Sequence, residues 1–238
     1  MFFVRKHHLW IILAVAVVFL GLLLLHICDN ETLSAFSANK QEHKTFVLDA
    51  GHGGEDGGAV SQDGIKESDI NLSITLRLHA LLRFLEQTTI LTRDSDVSIY
   101  SAGSDTLRQK KRSDLHNRVA LVNNVPGAVL VSIHQNSMPS VPSVHGAQVF
   151  YGSVESSDEV ALSVQKTLNQ SVNIGNEKQE KRINSSIYLM KNVTCPAILV
   201  ECGFLSNAIE TEHLLTPEYQ KQLSVAIAAG LLNTEEMP

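Results

Sequence analysis

His52, His134 and Glu201 each follow a short apolar run: Phe46-Val47-Leu48 leads through Asp49-Ala50-Gly51 into His52, Val129 to Ile133 into His134, and Ala197 to Val200 into Glu201. Glu67 stands just before a long helical pattern. Two imidazoles and one carboxylate form a standard donor set for catalytic zinc, with a fourth position left for water. Zinc in such a set acidifies water and polarises a carbonyl. A second carboxylate is then needed to take a proton and pass it to a leaving amine. The four residues thus fit three ligands and one base. Glu67 follows the His52 loop closely and can complete the ligand set. Glu201 follows a buried strand, where desolvation would raise its pKa towards a useful value. Glu67 is therefore assigned to metal and Glu201 to proton transfer, although spacing alone does not settle it. Each residue also has a plainer reading. A histidine after a strand is commonly a loop residue, a lone glutamate a surface acid, and Gly51 to Gly58 a flexible loop. That loop lacks both GxxxxGK[ST] and GxGxxG, so it is not a phosphate cradle. The joint placement of three of these residues after strands, with Glu67 opening the helix that follows the first loop, favours a metal site.

The elements that must position them alternate. Thr45–Leu48 reads as a strand, and Ser68 to Glu86 as a helix on the spacing of Ile70, Ile74, Leu78, Leu81, Leu82 and Leu85. Thr88–Thr92 is rich in β-formers, Arg93 to Ser113 reads as a long charged loop, and Asp114–Asn124 as a helix. Ala128–Ile133, Ala147–Tyr151, Ile187–Met190 and Ala197–Val200 read as strands, with a helix over Glu155 to Asn173. Thr216-Pro217-Glu218 has the order of a helix start, which runs to Leu232. Alternation of this kind predicts an α/β domain with a mainly parallel sheet and helices on both faces. Ligand crevices in such sheets lie beyond the C-terminal strand ends. If the three strands are parallel neighbours, His52, His134 and Glu201 share one edge.

Composition narrows the partners. The chain is 44% hydrophobic and 18% charged, enough for a full core, and its net charge of −6 argues against nucleic acid. Arg5, Lys6, His7 and His8 precede an uninterrupted apolar stretch from Leu9 to Leu25. This stretch is at the lower edge of a membrane span, about 17–25 residues, and longer than a signal-peptide core of roughly 7–15. The basic flank keeps the N-terminus cytoplasmic and directs the rest outward. Residues 1–28 are read as an uncleaved anchor in preference to a signal sequence, residues 29–44 as a linker, and residues 45–238 as the catalytic domain. Cys195 and Cys202 bracket one extended run of roughly 20 Å, whereas a disulfide needs Cα atoms within about 7 Å, so buried free thiols are expected. Cys28 borders the apolar segment. His79 and His116 lie in helical patterns without partner ligands, and His145 reads as a loop residue.

Five segments resemble the type 3 zinc-dependent N-acetylmuramoyl-L-alanine amidases. They are Leu48-Asp49-Ala50-Gly51-His52-Gly53-Gly54-Glu55-Asp56-Gly57-Gly58-Ala59, Glu67-Ser68-Asp69-Ile70-Asn71-Leu72, Thr92-Arg93-Asp94-Ser95-Asp96, Ser132-Ile133-His134-Gln135-Asn136, and Glu201-Cys202-Gly203-Phe204-Leu205-Ser206-Asn207. They span nearly all of the expected domain in the family's order. Ala50, Cys202, Gln135 and Ser137 depart from common family choices without removing a ligand or the base. The resemblance implies a three-layer α/β/α sandwich. It also implies zinc held by His52, Glu67 and His134, Glu201 as the catalytic glutamate, and cleavage of the amide between the lactyl group of N-acetylmuramic acid and L-alanine.

The bare domain, the charged Arg108–Arg118 region and Ile187 to Thr194 resemble the germination-specific, spore-cortex branch of that family. That branch implies work on peptidoglycan in muramic-δ-lactam formation, outside the cytoplasmic membrane on the spore side. Only a short loop separates His134 from Gly146, so no inhibitory helix is expected there. Arg93 and Arg118 match recurrent family arginines and are read as structural salt bridges. Lys181 and Arg182 are expected near the cleft, facing peptide carboxylates. An endopeptidase or deacetylase would use the same site, and a silent wall-binding protein is the reading from another class. No residue reveals an accessory protein, although one could complete the site.

Overall fold

A computed structural model describes residues 44–234. The expected anchor and Cys28 lie outside the described residues, and among those described no helix is long and apolar enough to cross a membrane. Strands β1 (Thr45–Ala50), β2 (Thr88–Leu91), β3 (Ala128–Asn136), β4 (Gln148–Tyr151), β5 (Lys181–Arg182) and β6 (Ala197–Phe204) form one sheet in the order β2-β1-β3-β6-β4-β5. The β2-β1-β3-β6 half is parallel, and β4 runs antiparallel to β6, which makes the sheet mixed.

The central strands are apolar on both faces because helices cover both. Alternate residues divide between two cores. Phe46, Leu48, Val129, Val131, Ile198 and Val200 point to one side, where they meet α1 (Glu67–Phe84), α3 (Ser157–Ser171) and α6 (Pro217–Asn233). Val47, Leu130 and Leu199 point to the other, where they meet α2 (Leu107–Asn123) and α4 (Tyr188–Asn192). Burial of Ile70, Ile74, Leu78 and Leu82 matches the spacing along α1. Helix α6 starts as the sequence indicates, with the Thr216 hydroxyl accepting from Tyr219 N and Pro217 in the first turn.

Three local expectations are corrected. The segment Arg93 to Ser113 is not loop throughout: α2 begins at Leu107, where Thr106 and Gln109 form a reciprocal capping box. Ile187–Met190 is not a strand. It enters the five-residue α4, in which the consecutive Leu189 and Met190 are both buried, as helical spacing allows and strand alternation does not. A helix not expected from the sequence, α5 (Ala208–Leu215), starts at Asn207, whose side chain accepts from Glu210 N. Residues 137–147 form a succession of turns and open chain. Cys195 and Cys202 are free thiols, but only Cys202 is buried as expected, and Cys195 is partly exposed.

Candidate active site

Strand register sets the site. Ala50 pairs with Ile133, and His134 pairs directly with Glu201, so three chemical groups come to one edge of the parallel half-sheet. The strands β3 and β6 run on past His134 and Glu201 to Asn136 and Phe204, so these two residues sit within strands rather than after them. His52 lies two residues past β1 in the left-handed region, φ 61°, a conformation that a non-glycine residue adopts at a cost.

Glu67 is the first residue of α1, where the helix dipole favours a negative charge. Its Oε1 lies 2.8 Å from His134 Nδ1, and its Oε2 lies 3.3 Å from His52 Nε2. The same carboxylate accepts from the backbone N–H of Ala59 at 2.8 Å and Gln135 at 3.1 Å, and from Asn71 Nδ2 at 3.2 Å. The two imidazole rings stand edge to face, with centroids 5.1 Å apart. One donor atom from each of His52, Glu67 and His134 falls within 4.8 Å of the others.

Glycine makes this closeness feasible at two positions. A Cβ on Gly51 would lie 2.3 Å from the His134 ring. On Gly58, whose φ is +70°, a Cβ would lie 2.5 Å from Glu67 Oε2. The N, N, O donor set, and a backbone cut away just where side chains would intrude, fit a small borderline metal ion such as zinc.

A further layer fixes the donors. Asp56 Oδ2 lies 2.9 Å from His52 Nδ1, leaving Nε2 turned towards Glu67, and Lys111 Nζ reaches the same Asp56 oxygen at 3.0 Å. Asn71 also donates to Gly51 O and accepts from Gln135 Nε2. Below, Asp49 accepts from Arg118 Nη1, Ser132 Oγ and Thr92 Oγ1. Arg118 also bonds Asp114 and the carbonyls of Ala50 and His52, as an arginine in a structural salt bridge would. Arg93 differs from that expectation. It donates to the carbonyls of Ala50, Gly51, Ser68 and Ser95, and so clamps the end of β1 to the start of α1 without a carboxylate partner among the described residues.

The electrostatics separate the acids. Burial opposes ionisation of Asp49, but Arg118, Ser132, His134 and Thr92 outweigh it and hold the group at about 2. Burial likewise opposes charge on Glu67, yet the hydrogen bonds and charges of His134 and His52 keep it well below the usual carboxylate range. His52 is desolvated too, but Asp56 and Glu67 raise it to about 9. Glu201 behaves oppositely. Burial dominates, His134 and His52 offset it only in part, and Glu67 adds to it, so Glu201 rises to about 7. Its Oε2 is sealed from solvent with no hydrogen-bond partner. This carboxylate, with one oxygen sealed and its pKa near neutrality, lines the same cleft, of about 390 Å³, as the three donors.

The four residues singled out in the sequence thus converge. Lys181 and Arg182 do not join them. They form the exposed edge strand β5, and neither lines the cleft. His145 is exposed and bonded to Ser143 O, and His79 contacts Thr89 Oγ1. Asp56, Asn71, Gln135 and Lys111 have roles here that the sequence alone does not assign. Asp56 lies four residues after His52, Asn71 four residues after Glu67 and Gln135 next to His134, and that proximity is the signal the sequence offers.

Comparison with known proteins agrees with this geometry. The family profile described as N-acetylmuramoyl-L-alanine amidase matches residues 46–233. The germination-specific N-acetylmuramoyl-L-alanine amidase of Bacillus subtilis (strain 168) is 36% identical over 189 residues, covering 79% of this chain and 78% of that protein. Among solved structures, the CwlD amidase from Clostridioides difficile, in complex with the GerS lipoprotein, superposes with a TM-score of 0.77 at 38% identity. It covers 81% of this chain and 98% of that one. An N-acetylmuramoyl-L-alanine amidase from Clostridium difficile 630 gives 0.72 at 29% identity, over 82% and 98%. With a family match across nearly all the described residues, this chain belongs to the N-acetylmuramoyl-L-alanine amidase family.

Proposed function

We propose that this chain hydrolyses the amide joining the lactyl group of N-acetylmuramic acid to L-alanine in peptidoglycan, as a zinc enzyme with His52, Glu67 and His134 as ligands and Glu201 as acid-base catalyst. The observation that carries the reading is the pair of opposed carboxylates in one cleft: Glu67 ionised between two imidazoles, and Glu201 with an unpartnered, sealed oxygen and a pKa of about 7. A zinc ion bound there would supply Lewis acidity towards a carbonyl and a water molecule. The protein supplies the rest. Asp56 holds the His52 ring by its second nitrogen, and Asn71 with the Gln135 and Ala59 amides fixes both oxygens of Glu67. Glu201 takes a proton from the attacking water and delivers it to the departing alanine nitrogen. A group near pH 7 is suited to both transfers.

The place of action follows the same relatives. One is named for germination, and the spore cortex, where peptide removal precedes muramic-δ-lactam formation, is the proposed setting. Residues 1–28 act as the membrane anchor or export signal, residues 29–44 as the linker, and residues 45–238 as the catalytic domain on the outer side of the membrane. The Clostridioides difficile relative is seen in complex with a lipoprotein, which supports a membrane-associated accessory protein for this chain as well.

The test is mass spectrometry of peptidoglycan digested by the full chain, with and without added zinc. Stem peptides with a free L-alanine amine and muramic acid with a free lactyl carboxylate, formed only with zinc, are expected. Cuts within the stem peptide or deacetylated sugars would instead make the chain an endopeptidase or a deacetylase. Absence of any product, with or without an accessory protein, would leave a wall-binding role.

A further inference from the structure

Helix α2 carries Arg108, Lys110, Lys111 and Arg112 in one stretch of a chain whose net charge is −6. Two of these cations are spent on the loop that carries His52. Lys110 pairs with Glu55 and lies over the Tyr100 ring, and Lys111 pairs with Asp56. Arg108 and Arg112 are exposed, and neither has a carboxylate partner among the described residues. They are four positions apart on the helix and therefore share a face, with about 6 Å of rise between them. Guanidinium groups left unpaired side by side are suited to a ligand with more than one carboxylate, which they can bind bidentately.

The groove they border is continuous with the catalytic cleft. Arg108 and Arg112 line it with Lys111, Leu115, His116 and Tyr188, and three of these (Lys111, Leu115 and Tyr188) also line the cleft. Tyr188 opens α4 and stacks flat on His116 of α2, with centroids 5.0 Å apart and planes 10° from parallel. The stack makes an exposed planar wall of the groove beside the two arginines, and Tyr188 belongs to the cleft that holds Glu201 as well.

We propose that Arg108 and Arg112 form a subsite for the free carboxylates of the substrate's stem peptide, with the Tyr188–His116 stack as the wall along which the peptide lies. The inference rests on the amidase reading above. The chemistry favours the peptide over the glycan as occupant. The N-acetylated sugars are neutral, and the lactyl carboxyl is consumed in the scissile amide, so the remaining negative charge belongs to the acidic residues that follow L-alanine. The arginines also fill the role expected from the sequence for Lys181 and Arg182, which lie on the far edge strand β5. Arg108 and Arg112 are specificity-determining residues, since they lie beyond the reacting atoms.

Binding and turnover separate this inference from the activity it rests on. The full chain carrying Glu201→Gln is titrated by calorimetry with the tripeptide L-alanyl-γ-D-glutamyl-diaminopimelate and with its fully amidated counterpart, at low and high salt. The acidic tripeptide should bind about tenfold more tightly, the sum of two partly exposed ion pairs, and the advantage should shrink with salt. In an added Arg108→Ala/Arg112→Ala pair the preference should vanish while zinc binding is kept, and Arg108→Lys/Arg112→Lys should restore part of it. On muropeptides, the alanine pair in the otherwise native chain should raise KM for the acidic substrate and leave kcat and the amidated substrate unchanged. Equal binding of the two tripeptides, or an acid preference that survives in the alanine pair, would overturn the subsite. Muropeptide cleavage in that same case would leave the amidase reading standing. Arginine-dependent tripeptide binding without any release of L-alanine termini would do the opposite, keeping the subsite and removing the amidase.

Discussion

Two glutamates face one cleft, and their surroundings have almost nothing in common. The region around Glu67 is all donors: a helix N-terminus, the amides of Ala59 and Gln135, the Asn71 side chain and two imidazoles, all directed at one carboxylate. The region around Glu201 is a strand between two apolar cores that gives its Oε2 no partner at all. The first environment favours the charged form so strongly that it overrides burial, and the second lets burial prevail. Identical chemical groups are therefore driven in opposite directions, Glu67 towards a lasting anion and Glu201 towards neutrality. The difference lies in who supplies hydrogen bonds, since both groups are desolvated.

Exchanging the two charges one at a time should break the comparison most visibly. Glu201→Gln keeps the shape of the cleft and removes the proton carrier. Zinc content should be unchanged, while kcat falls by about 10²–10⁴, the usual worth of positioned acid-base catalysis. Glu67→Gln should do the reverse. An amide cannot stay anionic between His52 and His134, so zinc retention after dialysis should be lost, and activity with it. Metal analysis beside turnover on a defined muropeptide reads both variants. A Glu201→Gln protein that lost zinc, or a Glu67→Gln protein that kept it, would show that the roles are assigned the wrong way round.

The same contrast explains what is legible in the sequence. His52, His134 and Glu201 are legible because each follows an apolar run, and parallel pairing of such runs forces them to one edge. Glu67 is legible as an acid opening a periodic helix. What surrounds them is not. The Asn71 bond to Gly51 O, the Arg93 clamp on four carbonyls and the Lys111–Asp56 pair join residues from separate elements, and no local period announces them. Helix α4 is hidden for a related reason. Four apolar residues satisfy strand and helix equally until tertiary burial of both Leu189 and Met190 decides. The start of α2 does carry a local signal, Thr106 and Gln109 at capping-box spacing, which the charge of the segment obscures.

A milder change sharpens the Glu67 side. Asp56 holds His52 Nδ1, and the hydrogen bond to His52, helped by Lys111, keeps its own carboxylate far below the usual range despite partial burial. Asp56→Asn preserves size and one acceptor but removes the charge. Zinc affinity should weaken by about 10–100-fold, the range for outer partners of ligating histidines, with kcat at saturating zinc nearly intact. Competition against a chelator measures this. Unchanged affinity would mean that the His52 ring is held by its strained backbone alone.

The smallest expected effect belongs to the Glu201 side, and its sign follows from linkage. Burial raises Glu201 from an unfolded value near 4.5 to about 7, so between these values the folded protein binds more protons at this group than the unfolded chain does. Stability rises with pH only where the unfolded state binds more protons. The contribution of Glu201 must therefore run the other way. It is fully present below about 4.5 and is lost as pH rises to 7. His52 extends the trend in metal-free protein from 6.5 to about 9. Asp49 and Glu67, with lowered values, act below that window, losing their contribution as pH falls through the acid range. His79, lowered by burial and by the nearby Arg83 charge, acts in the opposite sense, so the raw melting curve of one protein mixes several groups. Subtraction isolates the one of interest. In metal-free protein, the thermal midpoint of Glu201→Gln minus that of the native chain should increase from pH 5 to pH 7, because a buried amide stays neutral where a buried acid is forced to ionise. A difference that stays flat over this interval would mean that Glu201 is already charged at pH 5, and the contrast between the two acids would then rest on metal contact alone.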